Sequence, residues 1–338
     1  MIRYAPLHET KPEEFTQIMQ AEIETWNKNY FWNFIPQAYT ILQAIKKGLV
    51  FGYVLYVDDV IRGYCFAFGD ENKVRIGGLF TDFQYATWSN AETLLKLTDG
   101  LIHGLFPNVR RIEAQFPHYS GRAITPVLVK LGYNIYLRMY MAFDLNNLQA
   151  KFPINEPSFY IGGWNRYYEK EIPNVLKDAY IEHYDILMND QLKTREGAKK
   201  YITDILINQE YGPFLEMGST MAVSKMDFVQ TEFISPKGLF ENYLSDTVNI
   251  EVFNLIGIML MTQCNYNVAH IAQIAVIKSA QKRGIGEDLL RTGLHQILGG
   301  RWSQVTLTVS ENNKGAVRLY EKIGFYRHQT FLAATWNK

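Results

Sequence analysis

Residues 268–298 read VAHIAQIAVIKSAQKRGIGEDLLRTGLHQIL, and the fold of the second half of the chain turns on how this stretch divides. Val268 to Val276 is an apolar run of strand length. From Ile285 onward, Leu289, Leu290, Leu294, Ile297 and Leu298 recur at a 3.6-residue period, which predicts an amphipathic helix stopped by Gly299-Gly300. Between strand and helix stands Gln281-Lys282-Arg283-Gly284-Ile285-Gly286. A glycine loop entering a helix suits an anion. Glycines let the backbone turn tightly and approach a ligand without a Cβ in the way. The unpaired N–H groups of the first helical turn carry the positive end of the helix dipole. Lys282 and Arg283 add charge at the mouth, or are simply solvated. No Gly-Lys-Ser/Thr follows, so this is no Walker loop, and a dinucleotide fingerprint fails at Leu289.

Working outward, NLIGIMLMT, VTLTVS and YRHQTFLAAT read as strands, and residues 313–323 as a helix with Gly324 as its C-cap. Upstream, helical patterns cover residues 171–188 and 195–208, Gly212-Pro213 breaks the chain, and STMAVS is a strand. The first half has the same order. Helices are expected near 13–25 and 36–47, then a hairpin across Asp58-Asp59, the run VRIGGLFTDF, a helix over 90–105, the strand VRRIEAQF, a helix near 122–131 and the strand LRMYMAFDL. Lys130-Leu131-Gly132-Tyr133 repeats as Lys322-Ile323-Gly324-Phe325 at corresponding places. An internal duplication is the expectation, with domains over 1–146 and 160–338 and a linker over 147–159. Residues 225–249 fit neither pattern and are a flap or an extra hairpin.

A chain of 338 residues suits two domains, and 47% hydrophobic with 20% charged residues is a globular composition. Lys plus Arg equals Asp plus Glu at 34 each, which gives no reason to expect nucleic acid or an anionic membrane as partner. The only cysteines, Cys65 and Cys264, sit in apolar runs and read as buried thiols of a reducing compartment. The N-terminus turns polar too early for a secretory signal, and no apolar run reaches membrane length, so a soluble cytoplasmic protein is expected. The seven histidines are scattered, and no metal site is expected.

The second half resembles the GCN5-related N-acetyltransferase (GNAT) superfamily. Its glycine motif stands as Gln281 to Gly286 directly after Ile274-Ala275-Val276. Its later signature stands as Thr308-Val309-Ser310-Glu311-Asn312-Asn313 followed by Ala316, Leu319-Tyr320-Glu321-Lys322 and Gly324-Phe325. The resemblance implies an α/β fold built on a mixed sheet whose fourth and fifth strands splay apart, with the chain forming two tandem acyl-CoA N-acyltransferase-like domains. It implies acetyl-CoA as cosubstrate, its pantetheine arm on backbone groups of Ile274 and Val276 (with Ala275 between them). Amides around Arg283, Gly284 and Gly286, with Gln281, Lys282 and Ile285 in the same loop, would hold the pyrophosphate. Asn312 or Asn313 would contact the cofactor from the opposite side, and Tyr320 matches a tyrosine that protonates the departing thiolate in many relatives. The first half has no Gly-x-Gly at its helix start, with Trp88 there instead, and looks like a degenerate copy.

Acyl transfer from a thioester to an amine needs a neutral amine, a polarised carbonyl, a protonated leaving thiolate and fixed geometry. Many relatives carry an acid near the end of the fourth strand, where this chain has Ala272 and Gln273. Gln273 cannot be a base and would orient substrate or water. His270 has the intrinsic pKa of a base, and is alternatively structural or substrate-orienting. Asp185 and Asn189, four apart on an expected helix, would share a face, where Asp185 could meet a cationic amine or merely be solvated. The leading reading is an N-acetyltransferase acting on a primary amine of a small molecule or peptide. A CoA sensor or scaffold without catalysis, and an enzyme using a longer acyl-CoA, are the alternatives.

Overall fold

The computed structural model describes residues 1–119, 121–148, 159–225 and 253–338. The expected linker therefore falls mostly outside the described residues, as does nearly all of the 225–249 segment.

The first half runs β1 (Ile2–Pro6), α1 (Thr16–Tyr30), α2 (Ile35–Lys46), β2 (Phe51–Val57), β3 (Val60–Gly69), β4 (Lys73–Thr81), α3 (Trp88–Leu105), β5 (Arg111–Phe116), α4 (Gly121–Lys130) and β6 (Asn134–Asp144). The second runs β7 (Phe159–Gly163), α5 (Ile172–Ala179), α6 (Arg195–Leu206), β8 (Thr220–Lys225), β9 (Phe253–Asn265), β10 (Val268–Val276), α7 (Ile285–Ile297), β11 (Gln304–Ser310), α8 (Lys314–Ile323) and β12 (Tyr326–Asn337). The two halves match element for element, as the duplicated motif implies. Gly132 and Gly324 end α4 and α8 in the left-handed region, at φ 85° and 116°. In both turns the following aromatic amide returns to the helix, Tyr133 to the Leu128 carbonyl and Phe325 to the Tyr320 carbonyl, each at 2.9 Å. Asp58 and Asp59, at φ 49° and 60°, form the expected hairpin turn, a conformation that acidic side chains tolerate better than most.

One expectation fails. The helix predicted over 171–188 stops at Ala179, and Glu182 takes a left-handed φ of 60°. Beyond it lie two 3-10 turns, Tyr184–Leu187 and Asp190–Lys193. Local side chains compete with helix continuation here: the His183 ring accepts from the Asp185 amide, and the Asn189 side chain from the Gln191 amide. Asp185 and Asn189 therefore do not share an α-helical face.

Among the described residues all strands join one sheet, in the order β1-β2-β3-β4-β5-β12-β6-β11-β10-β9-β8-β7. The centre of this order is an exchange. β12, the last strand of the second half, pairs with β5 of the first, and β6, the last strand of the first half, pairs with β11 of the second. The exchanged strands also pair with each other, antiparallel. Each half has its later helices on one face and its earlier helices on the other. Met139, Met141 and Phe143 of β6 are buried in the core around α7 and α8, whereas Leu332 and Ala334 of β12 are buried in the core around α3 and α4. Each domain is thus completed by a strand of the other, so the boundary read along the chain is not the boundary of the packed units. No helix among the described residues is long and apolar enough to cross a membrane.

Phe143 is 2% exposed, stacks on Phe325 and lies inside the core of the other half. Phe143→Ala is expected to cost about 3–5 kcal/mol, and urea unfolding followed by fluorescence and circular dichroism should remain a single shifted transition. Two transitions of which only one moves would show that the exchange does not couple the halves.

Candidate active site

The site begins at a defect in the sheet. β10 runs parallel to β11 only from Val268 to Ile271, opposite Gln304 to Leu307. The pairing of β10 with β9 shifts register between Ile271 and Gln273, leaving Ala272 as the extra residue of a bulge. Bulges bend the strand that carries them. Beyond this one, Gln273 to Val276 pair with β9 alone, and Thr308 to Ser310 with β6 alone. This is the splay that the resemblance implies.

On an antiparallel strand alternate residues turn their N–H and C=O away from the partner. Along the free edge the carbonyls of Ala272, Ile274 and Val276 accept from side chains: the Tyr201 hydroxyl at 3.2 Å, Gln273 Nε2 at 3.0 Å and Gln281 Nε2 at 3.0 Å. Gln281 therefore ties the loop back to the strand. Gln273 is held further by the hydroxyls of Tyr180 and Tyr201, at 3.0 and 3.1 Å, which fixes its amide in place.

Past the strand, Lys282 and Gly284 both take left-handed backbone, at φ 64° and 84°, and Gly284 is the N-cap of α7. No side chain caps this helix, so its first amides keep their donors. A Cβ placed on Gly284 meets nothing within 4 Å, and one on Gly286 meets only Leu319, at 3.6 Å. Open space in front of uncapped amides fits a phosphate-bearing ligand. The Arg283 guanidinium sits 5.7 Å from the Phe159 ring centroid.

The first half bends its sheet the same way and then fills the equivalent space. β4 leaves β5 after Ile76, at a register shift in its pairing with β3. A Cβ on Gly77 would lie 2.3 Å from the Phe66 ring. At the start of α3 the Asn90 side chain accepts from the Thr87 amide at 2.8 Å, so that donor is already used. Arg62 pairs with Asp82 and lies 3.5 Å over Tyr85. These contacts give the physical content of a degenerate copy.

A cleft of about 660 Å³ runs from the splay into the junction of the halves. Tyr320, His270, Gln273, Ile274, Ala275, Val276, Gln281, Asn313 and Asp185 all line it, together with Trp26, Tyr30 and Trp32 of the first half. Asn312 is solvent-exposed and outside the lining. Asn313 caps α8 by accepting from the Ala316 amide, and its Nδ2 lies 3.3 Å from His183 Nε2.

Tyr320 is 5% exposed, and burial, with Tyr180 and Asp185 nearby, raises its phenol well above the ordinary value while Arg138 pulls the other way. It therefore holds its proton through the neutral range. His270 is 6% exposed, bonds Thr306 Oγ1 through Nδ1 at 2.9 Å, and packs edge-on to Trp32. Burial pulls its imidazole down to about 3.

Sequence reasoning passed over Tyr180, Tyr201 and Arg138, and quoted Ser310 only as part of a signature, with no role. Arg138 carried a signal of its own, a lone cation in the mostly apolar run LRMYMAFDL.

Comparison with known proteins agrees with this geometry. Residues 227–325 match the family model described as the acetyltransferase (GNAT) family. The chain is 31% identical over 113 residues to a mycothiol acetyltransferase of Gordonia bronchialis, a match covering 33% of this chain and 35% of that protein. It is 34% identical over 58 residues to human N-alpha-acetyltransferase 30, covering 17% of this chain and 16% of that one. It thus spans about a third or less of these curated relatives. A tandem GNAT protein from the clavulanic acid biosynthesis pathway superposes over 100% of this chain and 98% of its own, with TM-score 0.60 at 11% identity. A GCN5-related N-acetyltransferase from Sphaerobacter thermophilus does so over 99% and 95%, with TM-score 0.63 at 13% identity. Residues 227–325 thus match the GNAT family, and the chain as a whole shares the fold of solved tandem GNAT proteins, present twice: a second copy that keeps the glycine loop and a first that has closed it.

Proposed function

We propose that this protein is an N-acetyltransferase that moves an acetyl group from acetyl-CoA to the primary amine of a small molecule or peptide by direct attack. One observation carries the reading: the bulge at Ala272 opens the sheet between β10 and β11, with the uncapped start of α7 at its mouth and Tyr320 in its lining. Acetyl-CoA supplies the activated acyl group. The N–H groups of Ile274 and Val276 face the gap and serve the pantetheine arm, the latter also polarising the thioester carbonyl. The amides of Gly284, Ile285 and Gly286, with Lys282 and Arg283, take the pyrophosphate. Tyr320, protonated through the neutral range, hands its proton to the departing thiol.

The depressed His270 imidazole is a poor proton acceptor, and its bond to Thr306 supports an orienting role over that of base. Gln273, fixed by two tyrosines, supports the same role. Proton loss from the amine then goes to water in the cleft.

Tyr320→Phe is expected to lower kcat by roughly 10²–10⁴ while calorimetry shows unchanged CoA affinity; equal turnover would remove Tyr320 from the chemistry. Gly284→Glu should abolish measurable CoA binding in a folded protein, because a carboxylate would enter the space kept for phosphate. Unchanged affinity would move the cofactor elsewhere.

His270 also predicts a pH effect on stability. Below about 6.5 the unfolded chain takes up a proton that the folded chain refuses until about 3. Stability is present above 6.5 and falls with pH across that window, by about 1.4 kcal/mol per pH unit at its steepest. In urea titrations between pH 6 and 4, His270→Gln should lose stability less steeply than the parent. Parallel slopes would show that His270 titrates normally.

A further inference from the structure

β6 crosses from the first half into the second, and the charged residue it delivers to the cleft is Arg138. Arg138 stands opposite Ser310 in the register of β6 and β11, on the part of β11 that has left β10. Its Nη1 donates to Ser310 Oγ at 3.2 Å, and its only other partner among the described residues is the Met188 sulfur at 3.9 Å, a weak acceptor. Its Nε is buried with no acceptor. No carboxylate among the described residues pairs with it directly, whereas Arg75, which also lines the cleft, has Glu113 at 3.4 Å. A guanidinium part-buried in a cleft with unused donors costs free energy unless something completes it. Its fork of N–H groups matches a carboxylate.

A complementary charge stands one hydroxyl away. Ser310 Oγ, which accepts from Arg138, donates to the Asp185 carboxylate. Cation and anion thus face one cleft a few ångströms apart, on three chain segments that only the fold brings together. The cofactor's phosphates have their own donors at the start of α7, so they leave Arg138 unclaimed.

We propose that Arg138 receives a carboxylate of the acceptor, and that the substrate is an amino acid or a close derivative with a free acid, its amine turned toward Asp185. This rests on the acetyltransferase reading. It also gives the closed first half a function, since that half supplies the specificity-determining side chain.

The test is thiol release from acetyl-CoA with the common L-amino acids and, for each, its decarboxylated amine, with CoA affinity followed by calorimetry. The expected result is that the acid of at least one pair is turned over with kcat/KM at least tenfold above its amine. Arg138→Gln should then raise KM for that acid on the order of ten- to hundredfold, with kcat, the amine and CoA affinity unchanged. Arg138→Lys should recover part of the loss, and would carry the comparison should the glutamine variant not fold. Amines turned over as well as their acids, an acid preference that survives in a folded Arg138→Gln, or CoA binding with no acid turned over would each overturn the proposal. Failure of the parent protein to bind CoA would instead bring down the acetyltransferase reading on which it rests.

Discussion

The antiparallel pairing of β6 with β12 is the contact on which the rest of this molecule depends. It puts the last strand of each half into the other, so that one sheet of twelve described strands replaces two separate ones. Neither domain can bury its core without its partner: Met139, Met141 and Phe143 leave the first half to fill the second, while Leu332 and Ala334 travel the other way. The larger of these, the Met, Phe and Leu side chains, contribute roughly 1.5–3 kcal/mol each on full burial, so the exchange commits several of them to one cooperative unit. It also places Arg138 and Tyr140 of the first half in the lining of the cleft beside the second half's splay.

Within that frame the two copies show how little separates an open cleft from a filled one. Both bend the fourth strand of the repeat at a register shift, and both lose the parallel pairing just beyond it. In the second copy the helix that follows starts at Gly284 without a side-chain cap, and space remains in front of its amides. In the first, the Asn90 side chain takes the Thr87 amide, and aromatic rings crowd the glycines of β4. The same backbone therefore yields an open helix start or a packed one, depending on a few side chains there. The charges of the cleft follow a similar logic. Burial keeps His270 neutral and Tyr320 protonated, and the carboxylates of Glu113, Asp185, Asp204 and Glu210 share the same lining.

The sequence by itself determined most of the elements, because apolar periodicity, glycine caps and turn residues are local properties. The strand, glycine loop and helix from Val268 to Ile297 were legible for that reason, as was the repeated Lys-x-Gly-aromatic ending of α4 and α8. The prediction that failed, the helix over 171–188, failed where the side chains of His183 and Asn189 bond nearby backbone amides, a competition that hydrophobic spacing does not register. Only the tertiary structure decided which strands are neighbours across the halves, since a hydrogen-bonded strand has no sequence mark naming its partner. It therefore also decided that Arg138, Ser310 and Asp185, from three distant segments, meet in one cleft, and that Gln281 and Gln273 fasten the splayed edge. Such contacts depend on where the chain returns in space, which no window of residues encodes.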